Sequence, residues 1–241
     1  MEIDEQSRWH LVKELMGNQR VLLGKQVTHG LKKSPAHILH YLSYYKFAAK
    51  MVGSNKRVLD VGCGEGLGTW ILAKECGQVK GVDFAQEVIN VGQTNWSSQS
   101  NISFECSDFL TLSAESWDAV VNFDVIEQIS PENVQNFMTG IINNLAEHGI
   151  TIVGTPNLNS QAYVSEISKL GHVNVYSPEL LEEEMRRYFE HVFLFCANNE
   201  VIHAGFLPFA HYLIVIGCKK RKSLLDYYPP LNVPTSERKN T

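Results

Sequence analysis

Residues 58–68 read Val-Leu-Asp-Val-Gly-Cys-Gly-Glu-Gly-Leu-Gly, an apolar run that meets alternating glycines. Arg57 to Val61 has the composition of a short buried strand. Gly62, Gly64 and Gly66 let the chain turn tightly and let a ligand lie against bare backbone. Beyond them, Leu67, Trp70, Ile71 and Leu72 begin a helical pattern. Strand, glycine loop and helix start form a cradle for a nucleotide-like ligand in an α/β sheet. The spacing is not that of a dinucleotide fingerprint, G-x-G-x-x-G. Counted from Gly62 or from Gly64, the third glycine would fall on Leu67 or Thr69. The Gly-Lys-Ser/Thr ending of a phosphate loop is absent as well.

Outward from this stretch the chain alternates strands and helices. On the N-terminal side, Ser34-Pro35 caps and opens a helix carrying Ile38, Leu42, Tyr45, Ala49 and Val52 on one face. His37, Tyr41 and Tyr44 share another face, which on the residues alone reads as a solvated or interface stripe. Residues 1–33 are weakly patterned, with one short amphipathic segment at Leu11, Val12, Leu15 and Met16. On the C-terminal side, Val79 to Asp83 is a second strand. Its terminal acid, 23 residues after Asp60, is placed to accept from ribose hydroxyls. Phe84 follows as a candidate adenine contact. Helix 88–96 and strand 102–106 come next, then strand 117–123, whose apolar run suits a central parallel position. Val134, Phe137, Met138, Ile141 and Leu145 mark a core helix ending at His148-Gly149. Residues 150–155 form a fifth strand. The polar segment 157–176 reads as an acceptor loop past that strand's C-terminal end. Ser177-Pro178 opens another helix. Strands 192–196 and 210–218, joined by a short connection without helical pattern, are expected to be antiparallel.

The motif D-x-G-x-G-x-G from Asp60 resembles the first motif of the class I S-adenosylmethionine-dependent methyltransferases. The resemblance implies a Rossmann-like, doubly wound α/β sheet of seven strands with a reversed last strand and an N-terminal helical cover. Its parts would be an arm and cover at 1–53, a methyltransferase domain at 54–218 and a basic, proline-containing tail at 219–241. It implies that S-adenosyl-L-methionine is the methyl donor. The implied donor-binding residues are Asp60, Gly62, Cys63, Gly64, Asp83, Phe84, Asp108, Phe109, Asn122 and Phe123. The stretch Asp124-Val125-Ile126-Glu127-Gln128 resembles the family's strand-four motif, with glutamine where histidine is usual. Some quinone-pathway and sugar O-methyltransferases hold a metal there. Asp124 and Glu127 match the two acids, but Gln128 is a poor ligand, and no metal is expected. The segments Gly171-His172-Val173-Asn174 and Tyr176-Ser177-Pro178 resemble the same group. The implied reaction is methylation of a small-molecule hydroxyl, first a sugar or glycan precursor, alternatively O- or C-methylation of a quinone-like aromatic. His172 and Glu127 are the candidate general bases. A non-catalytic binding protein of the same fold is the rival from another class.

Composition sets the remaining bounds. The 241 residues carry a formal net charge of −5, which gives no support to a nucleic-acid surface. Five scattered cysteines without a C-x-x-C pair read as reduced thiols of a cytoplasmic protein rather than a zinc site. No basic, apolar leader and no membrane-length apolar run is expected. The run Lys219 to Lys222 reads as a solvated basic end.

Overall fold

A computed structural model describes residues 4–18 and 20–222. One mixed sheet of eight strands forms the centre: β1 (Arg57–Val61), β2 (Gln78–Asp83), β3 (Ile102–Cys106), β4 (Trp117–Phe123), β5 (Leu145–Pro156), β6 (Phe189–Asn198), β7 (Val201–His203) and β8 (Tyr212–Lys220). Their spatial order is β3-β2-β1-β4-β5-β8-β6-β7. The first five run parallel, while β8 is antiparallel to both β5 and β6. The reversed strand is as expected. The eighth strand is not: β7 forms a short hairpin with β6 inside what read as a plain connection.

Alternation along the strands builds two cores. Leu59, Val61, Val120 and Val153 face one layer, closed by α6 (Val134–Asn144) and α8 (Pro178–Arg186). Val58, Ala119, Val121 and Ile152 face the other, closed by α3 (Pro35–Val52) and α4 (Leu67–Glu75). Helix α5 (Gln86–Trp96) buries Val88, Ile89 and Trp96. This double burial is why the strands read as continuous apolar runs. Helix α6 stops at Asn144, earlier than His148-Gly149, because Leu145 has already turned to extended backbone and pairs with Trp117.

One buried acid ties the layers together. Asp60 is fully buried and accepts hydrogen bonds from Thr69 Oγ1 of α4 (2.6 Å) and the Tyr45 hydroxyl of α3 (3.1 Å). Burial still pushes its carboxyl up to about 7.

The N-terminal arm holds α1 (Glu5–Met16), which buries no residue, and α2 (Lys25–Lys33). The link between them is pinned to α5 by reciprocal bonds of 2.8 Å between the backbone of Leu22 and the Asn95 side chain. At the other end, β8 continues to Lys220, past the expected boundary at 218. The basic run there is bonded to the fold rather than simply solvated. Lys219 pairs with Glu190, Lys220 Nζ donates to the Ile142 and Leu145 carbonyls, and Arg221 Nε donates to Arg186 O. The expected proline-containing tail lies, from 223 on, outside the described residues. Among the described residues no helix is long and apolar enough to cross a membrane.

Candidate functional site

The chain reverses its direction of sheet growth between β3 and β4, which flank β2 and β1 respectively. In open α/β sheets such a switch point leaves a crevice beyond the C-terminal ends of the strands. A cavity of about 540 Å³ lies there. Its floor comes from the ends of β1, β2 and β4 (Val61, Gly62, Val82, Asp83, Phe123 and Asp124).

The glycine loop supplies bare backbone. Gly62, Gly64 and Gly66 have φ of 70°, 52° and 78°, in the left-handed region that glycine enters without cost. A Cβ on Gly62 would collide with the Val125 side chain, and one on Gly64 would meet Gln26 Oε1 at 3.0 Å. Asp83 stands beside the loop. One carboxylate oxygen accepts from Gly64 N (3.0 Å) and the other from Ala85 N (2.9 Å). Each oxygen keeps a further lone pair for a ligand. Phe84 is 80 % exposed on the wall. Asp108 caps the turn that follows it through Leu110 N (2.9 Å), and Phe109 is anchored edge-on against Phe137. The cradle and its acids fit a nucleoside ligand lacking a phosphate.

Six of the expected donor residues therefore meet at this cavity: Gly62, Gly64, Asp83, Phe84, Asp108 and Phe109, with Phe123 as a seventh. Three do not. Asp60 is occupied beneath the loop by Thr69 and Tyr45, so it shapes the loop from behind. Cys63 is fully buried, its backbone N donating to Val82 O. Asn122 is also fully buried, and its side-chain amide has no hydrogen-bond partner. Strand alternation turns Asp60 and Asn122 into the core, and Cys63 is buried in the loop that follows β1.

Neither expected base lines the cavity. His172 ends α7 (Glu166–Gly171), and its Nδ1 lies 3.0 Å from Gln161 Oε1. Burial lowers its pKa. The expected acceptor loop packs behind the strand-four turn instead: Val173 N and Asn174 N both donate to Glu127 O at 2.9 Å. Glu127 itself is fully buried, with Oε2 accepting from Thr155 Oγ1 (3.0 Å) and Oε1 unpartnered. Burial, and then the nearby charge of Asp124, hold it well above the usual carboxylate range. Asp124 faces solvent through the cavity, so it ionises first of the pair. Gln128 bonds Asp124 O (2.6 Å), and no cluster of three or more metal-ligating side chains occurs among the described residues.

Glu127 gives a pH prediction. In the unfolded chain it would lose its proton near pH ~4, whereas the folded chain retains it to higher pH. The folded state then binds more protons across that window, so stability is full at low pH and falls as pH rises through the folded pKa. Glu127→Gln keeps an acceptor for Thr155 and removes the titration. Its melting temperature should exceed wild type at pH ~8 and converge with it near pH ~5. Parallel melting curves across that range would refute the assignment.

The remaining wall comes from the arm. Gln26, Val27, Gly30 and Leu31 of α2 and His37, Ile38 and Tyr41 of α3 line the half of the cavity opposite the strands. Helix α2 is absent from the sequence reading. Its signals are Val27 and Leu31 four residues apart between Gly24 and the Ser34 cap. The neutral form of His37 is favoured by burial and then by the charges of His40, Lys33 and His29.

Known proteins share this arrangement. Residues 58–149 match the family model described as a methyltransferase domain. The ubiquinone biosynthesis O-methyltransferase of Coxiella burnetii (strain Dugway 5J108-111) is 29 % identical over 139 residues, covering 56 % of this chain and 58 % of that protein. The chain thus spans little more than half the length of the curated relatives it matches. The N-methyltransferase NodS from Bradyrhizobium japonicum WM9, solved with S-adenosyl-L-homocysteine, superposes with a TM-score of 0.57 at 18 % identity, covering 80 % of this chain and 91 % of that one. A chain from the complex between the Haloferax volcanii Trm112 methyltransferase activator and a methyltransferase gives 0.64 at 15 % identity, covering 81 % and 96 %. At these identities the structures speak for the fold. The domain match spans the glycine loop and its flanking strands, and with that fold this chain is similar to the class I S-adenosylmethionine-dependent methyltransferases.

Proposed function

We propose that the chain transfers a methyl group from S-adenosyl-L-methionine to the hydroxyl of a small aromatic acceptor. The donor half of this reading is carried by Asp83, set beside positive-φ glycines on the cavity floor. Bound there, the donor supplies an activated methyl group whose sulfonium leaves as a neutral thioether. The chain's own contribution is alignment and exclusion of water. Gly62 and Gly64 would accept the methionine end, Asp83 the ribose, and Phe84, Asp108 and Phe109 the adenine.

The acceptor half rests on the walls. Val27, Leu31, Ile38, Tyr41, Val125 and Ile129 present apolar surface, which suits a flat ring better than a polyhydroxylated sugar. The similarity to ubiquinone biosynthesis O-methyltransferases supports an aromatic acceptor over the sugar expectation. His37 opens onto this half and favours its neutral form, so it takes the proton-accepting role first considered for His172 and Glu127.

Calorimetry with S-adenosylhomocysteine tests the donor, and one-to-one binding is expected. Absence of any heat from the folded chain would sink the enzyme reading and favour a non-catalytic protein. Methyl transfer to simple catechols against sugar nucleotides then decides the acceptor class, with turnover of the catechol expected.

A further inference from the structure

A carboxylate of the glycine loop holds the arm in place. Glu65 is buried, and its oxygens accept from two consecutive backbone amides, Gln26 N at 2.7 Å and Val27 N at 3.3 Å. Those amides belong to the first turn of α2, whose own N-cap residue, Gly24, provides no side-chain cap. Two of the orphan donors of a nine-residue helix are therefore satisfied from 38 and 39 residues away. Gly24 leaves no room for a side chain, since a Cβ there would collide with Glu65 Oε1. The same contact brings the Gln26 carboxamide to the cavity, where its Oε1 would lie 3.0 Å from a Cβ on Gly64. The Leu22–Asn95 bonds fix the segment just before α2, so Asn95 and Glu65 together fix the arm's approach.

Since α2 forms one wall of the cavity, its seat on the loop is part of the binding site. We propose that Glu65 is the positioning residue that docks α2 over the cavity, and that Gln26, so placed, is a donor-binding residue supplied by the arm. The carboxamide carries both an acceptor oxygen and an amide donor, so it can pair with the ammonium, the carboxylate or a ribose hydroxyl of an amino-acid nucleoside lying on Gly64. Helix, loop and ligand then share one contact, and release of the ligand requires α2 to lift. This rests on the donor reading above for the ligand, but the docking itself does not.

Two measurements on the full chain separate the two. Hydrogen exchange at the Gln26 and Val27 amides reads the docking without any ligand. Glu65→Ala should raise exchange at both by at least tenfold. Glu65→Gln, which retains an oxygen acceptor, should fall between it and wild type. Dissociation of S-adenosylhomocysteine, followed by stopped-flow, reads the binding. It should be roughly tenfold faster in Glu65→Ala, about 1.4 kcal/mol if association is unchanged. Gln26→Ala should keep its own and Val27's amide protection while still releasing the ligand faster. Unchanged exchange in Glu65→Ala would overturn the docking role. Lost protection with an unchanged dissociation rate would leave α2 as structure only and overturn the binding role. If wild type binds no S-adenosylhomocysteine, the donor reading and Gln26's role fail together, while exchange still decides the role of Glu65.

Discussion

Gly62→Val should abolish donor binding and lower the melting temperature sharply. Two penalties coincide at this position. The backbone stands at φ of 70°, which a β-branched residue enters only at a cost of about 1–2 kcal/mol. The new side chain also meets Val125, and overpacking costs about 1–3 kcal/mol more. The floor of the cavity would have to move, carrying with it the Gly62 N–Val82 O bond of 2.8 Å that seats the loop on β2. Thermal melting and calorimetry with S-adenosylhomocysteine check the two effects separately. A variant with native affinity would show that the ligand does not approach this backbone.

Asp83→Ala is expected to weaken donor binding by about 1.5–3 kcal/mol, roughly ten- to a hundredfold, the value of a hydrogen bond to a charged group. The acid also arranges its own site, because it accepts from Gly64 N and Ala85 N. Its removal should loosen the loop as well as delete a ligand contact. Asp83→Asn retains one acceptor oxygen and should lie between the two. Titration of all three proteins with S-adenosylhomocysteine measures this. Equal affinity of Asp83→Ala and wild type would refute the ribose role.

The parallel half of the sheet was legible because its physics is local. Strands such as Trp117–Phe123 are covered on both faces and so read as unbroken apolar runs. The glycine loop was legible for a related reason, since positive φ selects the residue type directly. Ser34 before Pro35 and Ser177 before Pro178 announced their helices, and both hydroxyls do accept from the first turn. What escaped was decided by distant partners. Helix α2 has only nine residues, buries only Gly30 and carries its apolar signal on Val27 and Leu31 alone, too few positions to set it apart from the weakly patterned arm around it. Strand β7 is three partly exposed residues and shows no alternation to read. His172 looked like a base because it sits among polar residues past a strand. Its pairing with Gln161, eleven residues back, depends on the path of the intervening turn and helix. Asp60 is the converse case. The motif implies a donor contact for it, but strand alternation sends its side chain behind the loop, where it bonds Tyr45 and Thr69.

The position of β8 has a consequence for how the chain acquires its fold. This strand comes after the others in sequence, yet it lies between β5 and β6 and hydrogen-bonds both. Until residues 212–220 are available, β5 keeps one open edge and the β6–β7 hairpin has no partner through which to join the sheet. During synthesis, the parallel half can assemble early while the rest waits on these nine residues. Closure of the sheet is therefore a late and non-local event, of the kind that slows folding and leaves edges available for mispairing. A chain interrupted before Tyr212 would lose two sheet interfaces at once rather than a peripheral strand.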